Sequence, residues 1–333
     1  MAHLTSLEIC AGAGGQALGL EQAGFHHVCT VENDPDACNT LRLNRDNDLI
    51  PSAARWNVRE DDVRNLVGAD FEGIDLFAGG VPCPPFSIAG KQLGADDERD
   101  LFPKALEIVA GASPKAVLLE NVKGLSQPRF KTYRASVINE LNRLGYESHW
   151  RLIYASEHGV PQLRPRFVLV ALKEEFVPYF HWPEPVGEAP TVGDTLKKEM
   201  GSRGWRGADE WAKNADKIAP TLVGGSKKHG GPDVGPSRAR EAWAKLGVKG
   251  SSIAEFPPSE DDPVDQPPRL TVAMGALIQG FPPEWRFSGK KTAAWRQVGN
   301  AFPPPVARAL GTAISDALNK QTVSLAYQDM IAV

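Results

Sequence analysis

Glu8-Ile9-Cys10-Ala11-Gly12-Ala13-Gly14-Gly15-Gln16-Ala17 continues an apolar run that begins at Leu7 and leads into a helix-like stretch. Gly12, Gly14 and Ala17 satisfy the spacing G-x-G-x-x-G/A, in which a strand turns tightly into a helix and the bare backbone approaches a ligand closely. Glu32, twenty residues past Gly12 at the end of the next apolar run, stands where such folds place an acid that accepts from ribose hydroxyls. The pattern predicts a nucleoside cofactor without saying which. A Gly-rich turn with a purely structural role is the alternative it leaves open.

Outward from this segment, strand-length apolar runs alternate with amphipathic stretches, the pattern of β-α-β units around a mostly parallel sheet. Leu7 to Cys10, Val28 to Glu32, Ile74 to Ala78, Ala116 to Leu119 and Phe167 to Leu172 read as strands. Gln16 to Ala23, Pro35 to Asn44, Leu101 to Ala110 and Tyr133 to Leu144 read as helices, the last stopped by Gly145. A further helix, Val306 to Leu318, follows the prolines at 303–305, which a helix start tolerates.

The chain has 333 residues, 42% hydrophobic and 23% charged, which suits one large or two modest globular domains and excludes a fibrous or disordered chain. Between His181 and Pro268 Gly and Pro supply 23 of 88 residues, and four of the eight tryptophans (Trp182, Trp205, Trp211, Trp243) fall there. This reads as a loop-rich insert that interrupts the sheet-forming pattern. Its charge is uneven: Leu196 to Lys249 carries 12 Lys/Arg against 6 Asp/Glu, while Gly250 to Pro268 carries five acids and no Lys or Arg. The overall net charge of -4 therefore hides a basic stretch.

Cys10, Cys29, Cys38 and Cys83 include no C-x-x-C pair, so neither a zinc site nor a disulfide framework is written here, and no metal is expected. The start MAHLTSLEIC lacks the features of a signal peptide, and no apolar run is long enough to span a bilayer. The expectation is a soluble, cytoplasmic protein with reduced thiols and no membrane partner.

Gly79-Gly80-Val81-Pro82-Cys83-Pro84-Pro85-Phe86-Ser87 follows the strand Ile74 to Ala78. A lone cysteine is more often an inert small hydrophobe than a nucleophile. Cys83 is bracketed by prolines and glycines just past a strand's carboxyl end, where open α/β sheets place their ligands.

With these segments the chain resembles the C5-cytosine DNA methyltransferases over about 240 residues, in the family's order. Ala11-Gly12-Ala13-Gly14-Gly15 is similar to the family's cofactor loop, Pro82-Cys83-Pro84-Pro85-Phe86-Ser87 to its nucleophile loop and Glu120-Asn121-Val122 to its glutamate-asparagine-valine element. Gln162-Leu163-Arg164-Pro165-Arg166 is similar to its Q-x-R-x-R element and Gln297-Val298-Gly299-Asn300 to its late glycine-asparagine element. Arg269-Leu270-Thr271 and Gln279-Gly280-Phe281-Pro282 resemble the segment that follows target recognition.

The resemblance implies a Rossmann-like α/β catalytic domain dependent on S-adenosyl-L-methionine, formed by residues 1–180 and 269–326. A smaller loop-rich target-recognition domain would occupy 181–268 and a tail 327–333. It implies methyl transfer to C5 of a flipped-out cytosine in a short duplex DNA sequence, with S-adenosyl-L-homocysteine as product. Cytosine C5 is a poor nucleophile, so a thiolate adds at C6 and the resulting enamine takes the methyl group. By resemblance Cys83 is that thiolate, Glu120 assists at N3, and Arg164 and Arg166 supply positive charge, since an ordinary thiol is largely protonated at neutral pH. No residue stands out as the base that removes the C5 proton, and water is the candidate.

Cys10, Ala11, Gly12, Ala13, Gly14, Gly15, Glu32, Gly80, Pro82, Leu101, Asn300 and Ala301 are expected at the cofactor, with Asp62 taking the place of the acid that accepts from the adenine amino group. Asn300 would close the site from the far end of the chain, which places the last helix beside the first strand. Ser87 begins the loop, running to Asp100, that would cover the flipped base. Lys227, Lys228, His229, Arg238 and Arg240 are the expected DNA contacts, within a basic, Trp- and Gly-rich stretch. The alternative for Lys227-Lys228-His229 is a solvated surface loop.

Four positions depart from the family's common spelling. Cys10 replaces a phenylalanine, Pro84 a glutamine, Met274 and Gly275 stand where a glutamate is usual, and Ala301 replaces a small hydroxyl residue. None touches Cys83, Glu120 or Arg166. The expectation is a monomeric bacterial enzyme that protects host DNA, with a cognate restriction endonuclease as a possible partner. The same chemistry on tRNA, a catalytically inactive DNA-binding relative and a dinucleotide-dependent oxidoreductase are the alternatives.

Overall fold

The computed structural model describes residues 4–45, 56–82, 100–225 and 232–321. Cys83, Ser87, Lys227, Lys228, His229 and the tail 327–333 lie outside them.

The opening segment forms strand β1 (Leu4–Ile9) and helix α1 (Gly15–Gln22). There follow β2 (Phe25–Glu32), α2 (Pro35–Arg45), β3 (Val58–Glu60), β4 (Leu76–Gly79), α3 (Phe102–Ala112), β5 (Ala116–Val122), α4 (Lys131–Arg143), β6 (Tyr146–Tyr154) and β7 (Pro165–Lys173). The seven strands lie in one sheet in the order β3-β2-β1-β4-β5-β7-β6. β1 pairs in parallel with β2 and β4, whereas β7 runs antiparallel to both β5 and β6. The order reverses direction at β1, so a crevice opens at the carboxyl ends of β1 and β4, the usual ligand position in such sheets.

Leu7, Ile9, Leu76, Phe77, Ala78 and Ala116 to Leu119 are fully buried, because central strands of a sheet covered on both faces are apolar throughout. β3 and β6 are absent from the sequence-based expectation, and both are edge strands. β3 has three residues, two of them charged, and β6 alternates buried and exposed positions, so neither reads as an apolar run.

The last helices are α8 (Val272–Ile278), α9 (Lys291–Asn300) and α10 (Pro304–Leu318). α10 lies on α1, the helix that follows the first strand. A Cβ on Gly19 would fall 2.3 Å from the Pro304 carbonyl oxygen, and one on Gly311 would fall 2.8 Å from Ala23 Cβ, so the two glycines allow the helices this approach. Val306, Leu310 and Ile314 then join Leu76 and Ala78 in one core cluster.

The insert contains more helix than its composition predicts: α5 (Val192–Gly201), α6 (Ala208–Asn214) and α7 (Ser237–Ala244). Thr191 starts α5 with a capping box, its hydroxyl accepting from the Asp194 amide while the Asp194 carboxylate takes the Thr191 amide. Trp205, Trp211 and Trp243 are buried in a cluster that also holds Leu18, Met274 and Trp295. The expectation that the insert's tryptophans belong to a nucleic-acid surface is therefore corrected for these three, which are core residues.

The unusual Gly275 has a packing reason. A Cβ there would sit 2.4 Å from the Trp295 ring, whose indole N–H reaches across to the Asp233 carbonyl of the insert at 2.7 Å. An indole occupies the space where a larger side chain would otherwise stand. Gly275→Ala should destabilise the fold by about 2 kcal/mol, read as a fall of several degrees in melting temperature, despite the higher helix propensity of alanine. An unchanged or raised Tm would contradict this packing.

Candidate active site

The crevice holds a cavity of about 380 Å³. Its wall includes Cys10, Ala11, Gly12, Ala13, Glu32, Gly80, Pro82, Leu101, Asn300 and Ala301, and also Glu120. Residues from both ends of the chain thus meet around one space.

Glu32 is held rigidly. One carboxylate oxygen accepts from the Gly12 amide at 2.8 Å, and the other from the amides of Asn33 and Asp34, both at 2.8 Å. Carboxylate oxygens accept more than one hydrogen bond each, so this cradle orients Glu32 without exhausting it. Cys10 has a left-handed backbone (φ 51°), and burial together with the charges of Glu32, Asp62 and Glu8 pushes its thiol far above the usual range. It is an inert wall residue.

Three residues expected at the cofactor have other tasks. Gly14 caps α1 with a left-handed backbone (φ 82°), and Gly15 faces the Phe302 carbonyl so closely that a Cβ would lie 2.1 Å from its oxygen. Asp62 starts a short 3-10 turn, and its carboxylate takes the Arg64 amide and guanidinium. Its neighbours Asp61 and Val63 line the cavity instead. The three consecutive acids gave no sequence signal for which one faces inward.

Glu120 sits at the cavity's edge near the end of β5, its Oε1 2.5 Å from Nε of Arg166 in an ion pair, with both side chains mostly buried. Antiparallel pairing of β5 with β7 sets Arg166 opposite Val122 and brings the two residues together. Gly80 leaves room for this carboxylate, since a Cβ there would lie 3.3 Å from Glu120 Oε2. Beside it, Asn121 donates its side-chain amide to the Val81 carbonyl at 2.7 Å, and the Leu101 amide donates to the Pro82 carbonyl at 3.3 Å. The residues immediately before Cys83 are therefore fixed to the strand that carries Glu120.

Arg164, expected to supply charge to the reaction, is fully buried and faces away from this edge. Its guanidinium donates to the carbonyls of Leu222 (3.0 Å), Gly299 (2.8 Å) and Ala301 (2.8 Å). Burial, and then the charge of Arg166, lower its proton affinity well below the ordinary value, while Glu120 opposes them. Arg164 is a positioning residue. Of the expected DNA contacts, Arg238 is exposed on α7, whereas Arg240 is paired with Asp233 at 2.6 Å and donates to the Gly235 carbonyl.

Sequence reasoning missed Glu8 and Gln16, which also line the cavity and are buried. The available signal was an acid inside an apolar strand and an amide at the start of an apolar helix, each out of place for packing alone.

A family model described as C-5 cytosine-specific DNA methylase matches residues 4–316. The Type II methyltransferase M.NaeI of Lentzea aerocolonigenes is 57% identical over 322 residues, covering 96% of this chain and 77% of the relative. The Type II methyltransferase M.NgoMIV of Neisseria gonorrhoeae is 50% identical over 328 residues, covering 96% and 99%. Among solved structures, a DNMT2 triple mutant from Spodoptera frugiperda aligns at TM-score 0.65 and 17% identity, over 94% of this chain and 99% of that one. The S. pombe Dnmt2 methyltransferase aligns at 0.61 and 18%, over 95% and 99%. At these identities the structural likeness is one of fold.

Because Arg164 joins three carbonyls from separate segments, Arg164→Leu should cost about 3–5 kcal/mol of stability by leaving them unsatisfied. Chemical denaturation would show this as a lower midpoint. A variant with unchanged stability but lost activity would return Arg164 to the reaction.

Proposed function

The chain belongs to the C-5 cytosine-specific DNA methylase family, and from that premise we propose that it methylates C5 of a cytosine flipped out of duplex DNA, with Cys83 as nucleophile and S-adenosyl-L-methionine as donor. The observation that carries the reading is Glu120, paired with Arg166, on the wall of a cavity that also holds Pro82, the residue before Cys83.

The cavity's chemistry fits the donor. Glu32 offers carboxylate oxygens to ribose hydroxyls, Gly80 offers bare backbone beside Glu120, and Glu8 and Gln16 present polar atoms to the other end. Asn300 and Ala301 close the far side. When bound, the donor supplies a methyl group on a sulfonium.

The Cys83 thiolate forms a bond to C6 of the ring while the displaced electron pair moves toward N3, which takes a proton from the Glu120 carboxyl. Arg166 holds that carboxyl in place and offsets the charge it acquires. The enamine carbon C5 then takes the methyl group. Loss of the C5 proton to a base, water being the candidate, expels the Cys83 thiolate, and N3 returns its proton to Glu120.

The expected domain division, 1–180 with 269–326 and 181–268 between them, gives the insert the task of reading DNA, with the loop at Lys227, Lys228 and His229 and the exposed Arg238 as its contacts. The relatives' designation as Type II methyltransferases supports a role in restriction-modification, acting as a monomer beside a cognate endonuclease. Among the described residues no helix is long and apolar enough to cross a membrane, in keeping with a cytoplasmic enzyme.

With labelled S-adenosyl-L-methionine and duplex DNA, Cys83→Ala should abolish transfer and Glu120→Gln should reduce it by about 10²- to 10⁴-fold. Retained transfer by Cys83→Ala would overturn the covalent mechanism. Methylation of tRNA in place of duplex DNA would reassign the substrate, and an inactive wild-type protein that still binds DNA would leave the binding-protein reading.

A further inference from the structure

Two side-chain atoms on the cavity wall, Glu8 Oε2 and Gln16 Nε2, are buried and have no hydrogen-bond partner among the described residues. Glu8 is 1% exposed and Gln16 4%. Native proteins seldom leave buried polar atoms unsatisfied, because each forfeits its hydration without compensation. Two such atoms on one wall mark a site built for something else to complete.

Their chemistry is complementary. The Glu8 carboxyl is an acceptor, and the Gln16 amide nitrogen is a donor. Gln16 is the second residue of α1, an eight-residue helix whose N-terminus has no side-chain cap and therefore favours an anion. Glu8 lies beneath it, its charged form favoured by the Ala17 amide. Within ion-pair distance of Glu8 among the described residues is His27 of β2, its Nε2 3.9 Å from Oε2. That nitrogen lies 3.0 Å from the Ala17 carbonyl, an acceptor only, so it carries the ring's proton, while Nδ1 faces the Ser6 hydroxyl at 3.0 Å. Burial lowers His27 to about 4, so it is neutral at pH 7 and offers Glu8 no positive charge. Glu32 of β2 adds a second carboxylate nearby. The surroundings thus present an acceptor and a donor side by side, with no resident cation.

We propose that Glu8 and Gln16 form the receptor for a zwitterionic α-amino-acid group, the end of the cofactor opposite its nucleoside, with Glu8 accepting from the ammonium and Gln16 donating to the carboxylate. This rests on the cofactor reading above and assigns two further binding residues to it. It also couples binding to protonation. Burial, and then the charge of Glu32, push the Glu8 carboxyl well above the usual carboxylate range, so the free protein holds it neutral. An arriving ammonium favours the carboxylate, and the proton leaves to solvent. Affinity for the zwitterion therefore rises with pH until Glu8 ionises unaided.

Isothermal titration of the intact protein tests this with S-adenosyl-L-homocysteine and with 5′-methylthioadenosine, which keeps the nucleoside and lacks the amino-acid end. Glu8→Gln and Gln16→Leu should each weaken S-adenosyl-L-homocysteine by at least about tenfold while leaving 5′-methylthioadenosine within about twofold of wild type, the second result also showing that the variants fold. Titration in buffers of different ionisation enthalpy should show proton release by wild type with S-adenosyl-L-homocysteine and none by Glu8→Gln. Unchanged S-adenosyl-L-homocysteine affinity in either variant, or equal weakening of both ligands, would overturn the proposal. Failure of wild type to bind either ligand would overturn the cofactor reading itself, and the proposal with it.

Discussion

Arg164 is the interaction on which the assembly depends. Burying a guanidinium is costly unless its donors are used, and here they hold the carbonyls of Leu222, Gly299 and Ala301, which come from the insert and from the junction of α9 and α10. Around it, Gln162 accepts from the Leu222 amide and donates to Gln279, whose side chain in turn reaches the Ala301 carbonyl. Insert and chain end are thereby fixed to the segment that precedes β7. Two residues on, Arg166 is paired with Glu120, so one short stretch organises both the frame and the reacting edge.

The same junction links the two regions expected to hold cofactor and DNA. Gly224 and Gly299 pack back to back, a Cβ on Gly299 falling 2.2 Å from the Gly224 nitrogen, and a Cβ on Gly224 falling 2.5 Å from Asn300 Oδ1. The chain entering the Lys227-Lys228-His229 segment is thus pressed against a residue of the cofactor cavity. The charge of the whole chain says nothing of this. The basic balance of 196–249 was visible in the sequence, but Arg240 spends its charge on Asp233, which no count of residues reveals.

What was legible in the sequence were the features dictated by local chemistry. The glycine turn after β1, the buried central strands and the starts of α2 and α10 follow from apolar runs and from turn and cap residues. The edge strands β3 and β6 did not, since half-exposed strands carry no continuous apolar run. At the site, Glu120 and Arg166 were found by their motifs, whereas the division of labour between Arg164 and Arg166 depends on strand register and could not be read from an R-x-R spacing. Gly14 and Gly15 look like cofactor glycines in sequence but serve the helix start and the contact with Phe302. Glu8 and Gln16 escaped notice because their significance lies in partners they lack, a property of packing alone.

The central claim is that Cys83, presented beside Glu120, attacks C6 of a cytosine in duplex DNA. Denaturing mass spectrometry after incubation with S-adenosyl-L-methionine and a duplex carrying 5-fluorocytosine at the target position tests it most directly, because fluorine at C5 cannot leave as a proton and the enzyme stalls as an adduct. The account predicts a protein–DNA conjugate of one-to-one mass, with the attachment mapped to Cys83 and absent in Cys83→Ala. Turnover of ordinary duplex DNA without any conjugate on the fluorinated duplex, or attachment at another residue, would contradict it.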